Sequence, residues 1–331
     1  MSVWILILLA AAIILIRSGA WLVHALVNIS SRLKISEYIV SFVLMSFATT
    51  LPEFWVGVSS AFSGVSALSI GNVFGANIAN LSLILGIASL FSGRVVLHRR
   101  TARFDAWSNV ILGGLPVILL FDGVLSRLDG FVLLSLFAAF LLRLLAGSRP
   151  WSSHRPLPAS IRHRPSNRLF SKPLHFLLYD FGVFALAAGF LILSAYLIVY
   201  SAGRLTASLG ISPLIIGIIA VSFGTTLPEL TFAIRASLAR HSELSLGNLI
   251  GATIFNSTLI LGVVAVINPV RLSAADLVNL RLSSVALIII LLTANIFLRT
   301  RARLGRREGA VLILLYFIFI AALLYNSGWG V

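Results

Sequence analysis

Two glutamates, Glu53 and Glu229, stand well inside long apolar runs. The other acidic residues, Glu37, Asp105, Asp122, Asp129, Asp180, Glu243, Asp276 and Glu308, fall at the ends of such runs or between them. Both glutamates follow the same four residues, Thr49-Thr50-Leu51-Pro52 and Thr225-Thr226-Leu227-Pro228. A carboxylate among apolar residues is costly to keep ionised, so it marks a functional site, and a repeated pair argues against a simple helix–helix hydrogen bond. Proline withholds one backbone donor and crowds the carbonyl four residues earlier, which frees carbonyl oxygens near Ala48, Thr49, Gly224 and Thr225. Thr49 and Glu53 are four residues apart, as are Thr225 and Glu229, so hydroxyl and carboxylate share one helix face. Converging carboxylate, hydroxyl and carbonyl oxygens suit a hard cation; Ca2+ takes about 6–8 oxygen ligands at about 2.3–2.6 Å. Two carboxylates neutralise one divalent ion. A soft metal fits badly, because the chain has no cysteine and these segments hold no histidine except His241 at an edge.

A second pattern follows each glutamate, Gly-Asn-x-x-Gly-Ala-x-Ile-x-Asn, from Gly71 to Asn80 and from Gly247 to Asn256. The glycines Gly71, Gly75, Gly247 and Gly251 let backbones approach closely. Asn80 and Asn256 can give amide oxygens to a cation or hold the glutamates. Asn72 and Asn248, earlier on the same segments, read mainly as structural.

The elements that position these residues form a duplicated unit. Residues 46–86 align without a gap on 222–262, with about half the positions identical, and Ile35-Ser36 matches Ile211-Ser212 in the same register. Shared apolar composition does not account for matching Thr, Pro, Glu, Gly and Asn. Of 331 residues, 59% are hydrophobic and 11% charged, against roughly 25% charged in soluble domains. Ten apolar stretches, near 3–27, 36–61, 66–90, 106–122, 128–146, 174–203, 212–236, 243–267, 277–298 and 309–326, each approach the ~20 residues a helix needs to cross a bilayer. The alternating pattern of a membrane barrel is absent. The fold expected is therefore all-α and integral to the membrane: ten transmembrane helices arranged as two five-helix repeats. Five spans per repeat force the copies into opposite orientations, the inverted-topology plan in which binding sites lie near the midplane. Residues 1–146 form the first repeat, 147–173 a Pro- and Ser-containing linker, and 174–331 the second repeat.

The net charge of +15 sits in particular loops and does not call for nucleic acid. Arg99, Arg100 and Arg103 follow the third span, and Arg299, Arg301, Arg303, Arg306 and Arg307 follow the ninth. Arg149, Arg155, Arg162, Arg164, Arg168 and Lys172 lie in the linker. Counted over ten spans, all three loops fall on one side, which the positive-inside rule makes cytoplasmic, with both termini outside. These loops read as topology signals in contact with anionic lipid. The first apolar run, without a basic residue before Trp4 or a clear cleavage site, reads as a retained membrane helix. Arg17 inside it is unusual, and its long side chain either snorkels or pairs internally.

These two segments resemble the paired α-repeats of the cation/Ca2+ exchanger superfamily, nearest to its prokaryotic sodium/calcium exchanger-like members. The resemblance implies a prokaryotic cell-membrane protein with alternating access to clustered central cation sites. It implies Ca2+ binding by Glu53 and Glu229, with Thr49 and Thr225 contributing carbonyl and hydroxyl. It also implies a role in Na+ binding for Thr50 and Thr226, and a central position for Asn80 and Asn256. In two respects the chain departs from the family. Ala76 and Ala252 stand where prokaryotic members usually carry a serine that serves a Na+ site. Asn256 stands where potassium-dependent relatives have an aspartate.

The activity expected is secondary antiport of Ca2+ against Na+ or H+, with these ions as cargo and no permanently bound cofactor. Desolvation penalises a bare pair of charges, so protons can replace Na+ as the counter-ion, leaving Ca2+/H+ or another cation/proton exchange as the alternative. A cation channel fits less well, since channels usually need a continuous polar path, often symmetric about the membrane normal. An enzyme fits poorly: the repeated segments hold no histidine except His241 at an edge, and His24 has no counterpart in the second half. The partners implied are the bilayer and small inorganic cations; the sequence leaves the oligomeric state open.

Overall fold

The computed structural model describes residues 2–32, 45–92, 94–96, 99–147, 173–209, 212–238, 242–301 and 303–329. The linker arginines and Lys172, residues 35 and 36, Ile211 and His241 lie outside them. The described residues are helical apart from short turns and two small ribbons. In the first repeat, helix α1 covers Ser2–Arg32, α2 Met45–Thr49, α3 Leu51–Phe62 and α4 Ser66–Ala79. A π turn at Asn80–Ile84 passes into α5 (Leu85–Ser92), followed by α6 (Arg99–Leu119) and α7 (Arg127–Gly147). In the second repeat, α8 covers Pro173–Leu209 and α9 Pro213–Ile216. A π turn at Gly217–Val221 leads to α10 (Ser222–Thr225), α11 (Leu227–Leu238) and α12 (Ser242–Ile254). A further π turn at Phe255–Ile260 enters α13 (Leu261–Ile267), and α14 (Ala274–Arg301) and α15 (Arg306–Leu324) follow.

Among the described residues, six helices are long and apolar enough to cross a membrane, or seven if the bent pair Pro213–Thr225 and Leu227–Leu238 is one span. The apolar part of α6, Trp107–Leu119, is shorter, and the expected span 36–61 begins outside the described residues. The count of ten therefore stays a sequence expectation. Large apolar side chains on α1, among them Leu6, Leu9 and Ile13, are exposed, as are Leu314, Phe317 and Ile318 on α15. Helices that face lipid need no polar outer side, whereas in water such contiguous apolar surface is a liability. Arg17 lies on this exposed face of α1.

Each repeat contributes one almost wholly buried rod, Ser66–Ser92 and Leu244–Ile267. Phe74, Ile78, Leu81, Ile260 and Leu261 of the two rods share the main core with Leu287 and Leu291 of α14. The broken helices pack across the repeat boundary: α2 lies against α12, while α9, its π turn and α10 lie against α4. That crossing is backbone on backbone. A Cβ added to Gly71 would collide with the Leu214 carbonyl, one on Gly75 with the Ile218 carbonyl, and one on Gly217 with the Leu68 carbonyl. The corresponding approach at Gly247 and Gly251 would involve residues 38–42, outside the described ones. The turn between α3 and α4 requires a glycine as well: Gly64 has φ +72°, a left-handed conformation open to glycine at little cost. Ser212 caps α9, its Oγ accepting from the Leu214 N–H at 3.0 Å and donating to Asp276.

Two antiparallel ribbons, which the sequence did not suggest, stitch the repeats together. Strand β1 (Arg94–Val96) pairs with β4 (Arg303–Gly305), in register Arg94 to Gly305, and β2 (Val124–Leu125) pairs with β3 (Val270–Arg271). Each ribbon takes one strand from each repeat. A bond from the Leu272 N–H to the Gly123 carbonyl at 2.9 Å extends the second ribbon.

Candidate cation site

The repeated Thr-Thr-Leu-Pro-Glu motif sits on a break in the helix. Thr50 and Thr226 interrupt their spans with nearly identical dihedrals, φ −86° and ψ 0° against φ −82° and ψ 0°, and the second pair of segments is bent by 41°. Pro52 and Pro228 fall in the first turn of α3 and α11, where a missing N–H costs least because that donor has no intrahelical partner anyway. The Thr50 hydroxyl donates back to the Ser46 carbonyl at 2.8 Å, and Thr226 to Ser222 at 2.9 Å. Back-bonding of this kind bends helices, so the second threonine of each motif supports the break in both repeats.

Just past the break, Glu53 and Glu229 point into the protein and are wholly buried, 0% exposed. They lie near enough to interact electrostatically. Glu53 faces Thr225 of the opposite repeat and Glu229 faces Thr49. None of their four oxygens accepts a hydrogen bond of regular geometry among the described residues. Buried carboxylates without donors are rare in proteins, because the desolvation penalty is then uncompensated. Among the described residues no three His, Cys, Asp or Glu side chains gather at one place, so the candidate cation ligands here are these two carboxylates and neutral oxygens.

The neutral groups follow the same crossed geometry. The Thr49 hydroxyl lies 3.2 Å from Asn248 Oδ1, and the Thr225 hydroxyl 3.1 Å from Asn72 Oδ1. Each hydroxyl also lies 3.3 Å from a carbonyl of its own helix, Ser46 or Ser222, so Asn72 and Asn248 share the threonine protons with the backbone, and the threonine lone pairs stay available to a cation. Asn80 opens one π turn and Asn256 is the second residue of another, which rotates their side chains out of the regular helical phase. Both are wholly buried. Asn80 has no hydrogen-bond partner among the described residues at either amide atom, and Asn256 has none at Oδ1. Ala76 and Ala252 are also fully buried and supply no hydroxyl. The π turn of Asn256 packs against α3, which carries Glu53, and that of Asn80 against α11, which carries Glu229.

Two participants escaped the repeat comparison. Asn77 lies within hydrogen-bond reach of Asn256 and of Ser257, yet the repeat counterparts of Asn77 and Ser257 are Thr253 and Leu81. A repeat displays a residue only where both halves carry it, and Asn77 and Ser257 have no such match.

Comparison with known proteins bears on the whole chain. The family profile described as sodium/calcium exchanger protein matches residues 3–146 and 179–325. The chain is 28% identical over 319 residues to the putative antiporter CaxA of Alkalimonas amylolytica, covering 96% of this chain and 98% of that one. It is 26% identical over 353 residues to the sodium/calcium exchanger MaX1 of Methanosarcina acetivorans, covering 97% and 98%. Among solved structures it is similar in fold to the sodium-calcium exchanger NCX_Mj soaked with 100 mM Na+ and 10 mM Sr2+, with TM-score 0.66, 23% identity and coverage of 97% and 99%.

Proposed function

Because the chain belongs to the sodium/calcium exchanger protein family, we propose that it is a secondary active antiporter that carries Ca2+ against Na+ or H+ through the paired-glutamate site. The observation that carries this reading is the pair Glu53 and Glu229, wholly buried and without a regular hydrogen bond among the described residues. Two uncompensated carboxylates in a water-excluded core are tolerable once cations neutralise them. One Ca2+, or two monovalent cations, balances the pair. A loaded centre can then be carried past the closed side of the protein, while an empty centre keeps two charges that resist it. This couples the inward and outward fluxes.

In this reading Glu53 and Glu229 hold Ca2+, with Thr49 and Thr225 supplying hydroxyl and carbonyl oxygen. Thr50 and Thr226 stand beside the helix breaks where Na+ would bind, and Asn80 and Asn256 complete the centre. Exchange against protons is the second reading, and one specific observation supports it: Ala76 and Ala252 are buried in both repeats and offer no hydroxyl for Na+. The protein works as a multi-pass membrane carrier, in the cell membrane of a prokaryote, with the basic loops in the cytoplasm and the termini outside.

Flux of radiolabelled Ca2+ into proteoliposomes, with Na+ and pH gradients imposed separately, tests the proposal. Uphill Ca2+ movement on one of those gradients is expected. Ca2+ that equilibrates with no counter-cation on the opposite side indicates a channel and overturns it.

A further inference from the structure

We infer that Asn77 is a positioning residue of the cation site: it fixes the amide of Asn256 so that the oxygen, not the nitrogen, is the end left to a cation. The inference rests on the antiporter reading of that site. It starts from a backbone carbonyl, whose identity as an acceptor is not in question. The Gly113 carbonyl on α6 accepts from the Ser257 hydroxyl at 3.2 Å. A hydroxyl has one proton, so the Ser257 oxygen must then accept from Asn77, whose Nδ2 lies 2.8 Å away. With its nitrogen so engaged, Asn77 presents Oδ1 to Asn256, and Asn256 meets it with Nδ2 at 3.0 Å. The chain of three bonds thus sets the direction of both amides, which their shapes alone would not. It ends at Asn256 Oδ1, buried and without a donor among the described residues.

The brace is present in one repeat only. The counterpart of Asn77 is Thr253, whose hydroxyl turns back to the Leu249 carbonyl of its own helix at 2.9 Å. Asn80, the counterpart of Asn256, therefore has no brace, and both its amide atoms lack partners among the described residues. The repeats supply matched glutamates and threonines but unmatched asparagines, one amide held through Asn77 and Ser257 to α6 and one without a hydrogen-bond partner among the described residues. Asn256 is thus a pre-oriented oxygen ligand, and pre-orientation lowers the ordering cost of binding a cation.

Ca2+ uptake by proteoliposomes carrying the full chain tests this, with KM and maximal rate measured separately. Asn77→Ala is expected to raise the KM for Ca2+ about two- to tenfold, the worth of one hydrogen bond, and to change the maximal rate far less. Ser257→Ala, which unhooks Asn77 from α6 but leaves the amide pair, is expected to act in the same direction by less. On an Asn256→Ala background Asn77→Ala is expected to add nothing, whereas on an Asn80→Ala background its effect persists; a general loss of packing would not discriminate between the two. An unchanged KM in both Asn77→Ala and Ser257→Ala, or full additivity of Asn77→Ala with Asn256→Ala, overturns the role. Uptake that is absent from the wild type or indifferent to Glu53→Gln overturns the antiporter reading and this role with it. Uptake that needs Glu53 but ignores Asn77→Ala overturns the positioning role alone.

Discussion

Thr49 of the first repeat meets Asn248 of the second across 3.2 Å, and Thr225 meets Asn72 in the mirrored contact across 3.1 Å. Each repeat therefore orients the first threonine of the other. A hydroxyl whose proton is engaged by an asparagine oxygen turns its lone pairs elsewhere, and in this place Thr225 faces Glu53 while Thr49 faces Glu229. Removal of either asparagine is expected to release a threonine without removing an oxygen from the site. Asn72→Ala and Asn248→Ala should each raise the KM for Ca2+ by about two- to tenfold, the net worth of one hydrogen bond. The cycle Asn72→Ala with Thr225→Ala should show a coupling of about 0.5–3 kcal/mol, as contacting residues do. Independent effects of the two substitutions in the same flux assay would mean that the contact does not orient the threonine.

The glutamates are expected to behave as a unit. Glu53→Gln and Glu229→Gln keep shape and remove one charge, so each should abolish Ca2+ exchange while monodisperse protein is still recovered from the membrane. Near-normal flux in both variants would remove the pair from the mechanism. Their pH dependence has a definite sign. Only ionised carboxylates neutralise Ca2+, and protons compete for the same oxygens, so the KM for Ca2+ should rise as pH falls. A KM indifferent to pH would exclude protons as competitors at these carboxylates.

The glutamates, threonines and terminal asparagines were legible because a duplicated sequence displays each of them twice, in types that apolar composition does not explain. The glycine crossing was legible for the same reason. Gly71 and Gly75 were read as points of close approach and do meet the Leu214 and Ile218 carbonyls. What the repeat does not copy stayed hidden. Asn77 and Ser257 act through contacts peculiar to one half, and the ribbons pair two- and three-residue strands distant in sequence, too short for an alternating pattern to register. The π turns at Asn80 and Asn256 lie in apolar runs that read as ordinary helix, since a one-residue bulge leaves no compositional trace.

Ala76 and Ala252 offer a gain-of-function test. Both are wholly buried in the two rods, four residues before Asn80 and Asn256 of the π turns. Ala76→Ser with Ala252→Ser adds two hydroxyl oxygens in symmetric positions and is expected to strengthen the dependence of Ca2+ flux on a Na+ gradient. The added oxygens bring some crowding, about 1–3 kcal/mol where the core does not yield, so recovery of folded protein should be followed alongside. Flux driven as before, by the same gradient and to the same extent, would mean that the missing hydroxyls do not select the counter-ion.

The backbone crossing between the repeats makes a prediction about stability that is independent of any ion. Gly71 lies against the Leu214 carbonyl, and a methyl group there has nowhere to go, because both sides of the contact are main chain in helices that cannot shift singly. Gly71→Ala is therefore expected to destabilise by about 1–3 kcal/mol, the range for overpacking a tight core, despite the higher helix propensity of alanine. Gly189, in α8, provides the contrast: it is exposed, and a Cβ would meet nothing within 4 Å. There only the propensity remains, and Gly189→Ala should leave stability unchanged or raise it by up to about 1 kcal/mol. Thermal melting of the detergent-solubilised protein separates the two. Equal shifts would mean that the crossing between α4 and the second repeat is looser than its geometry requires.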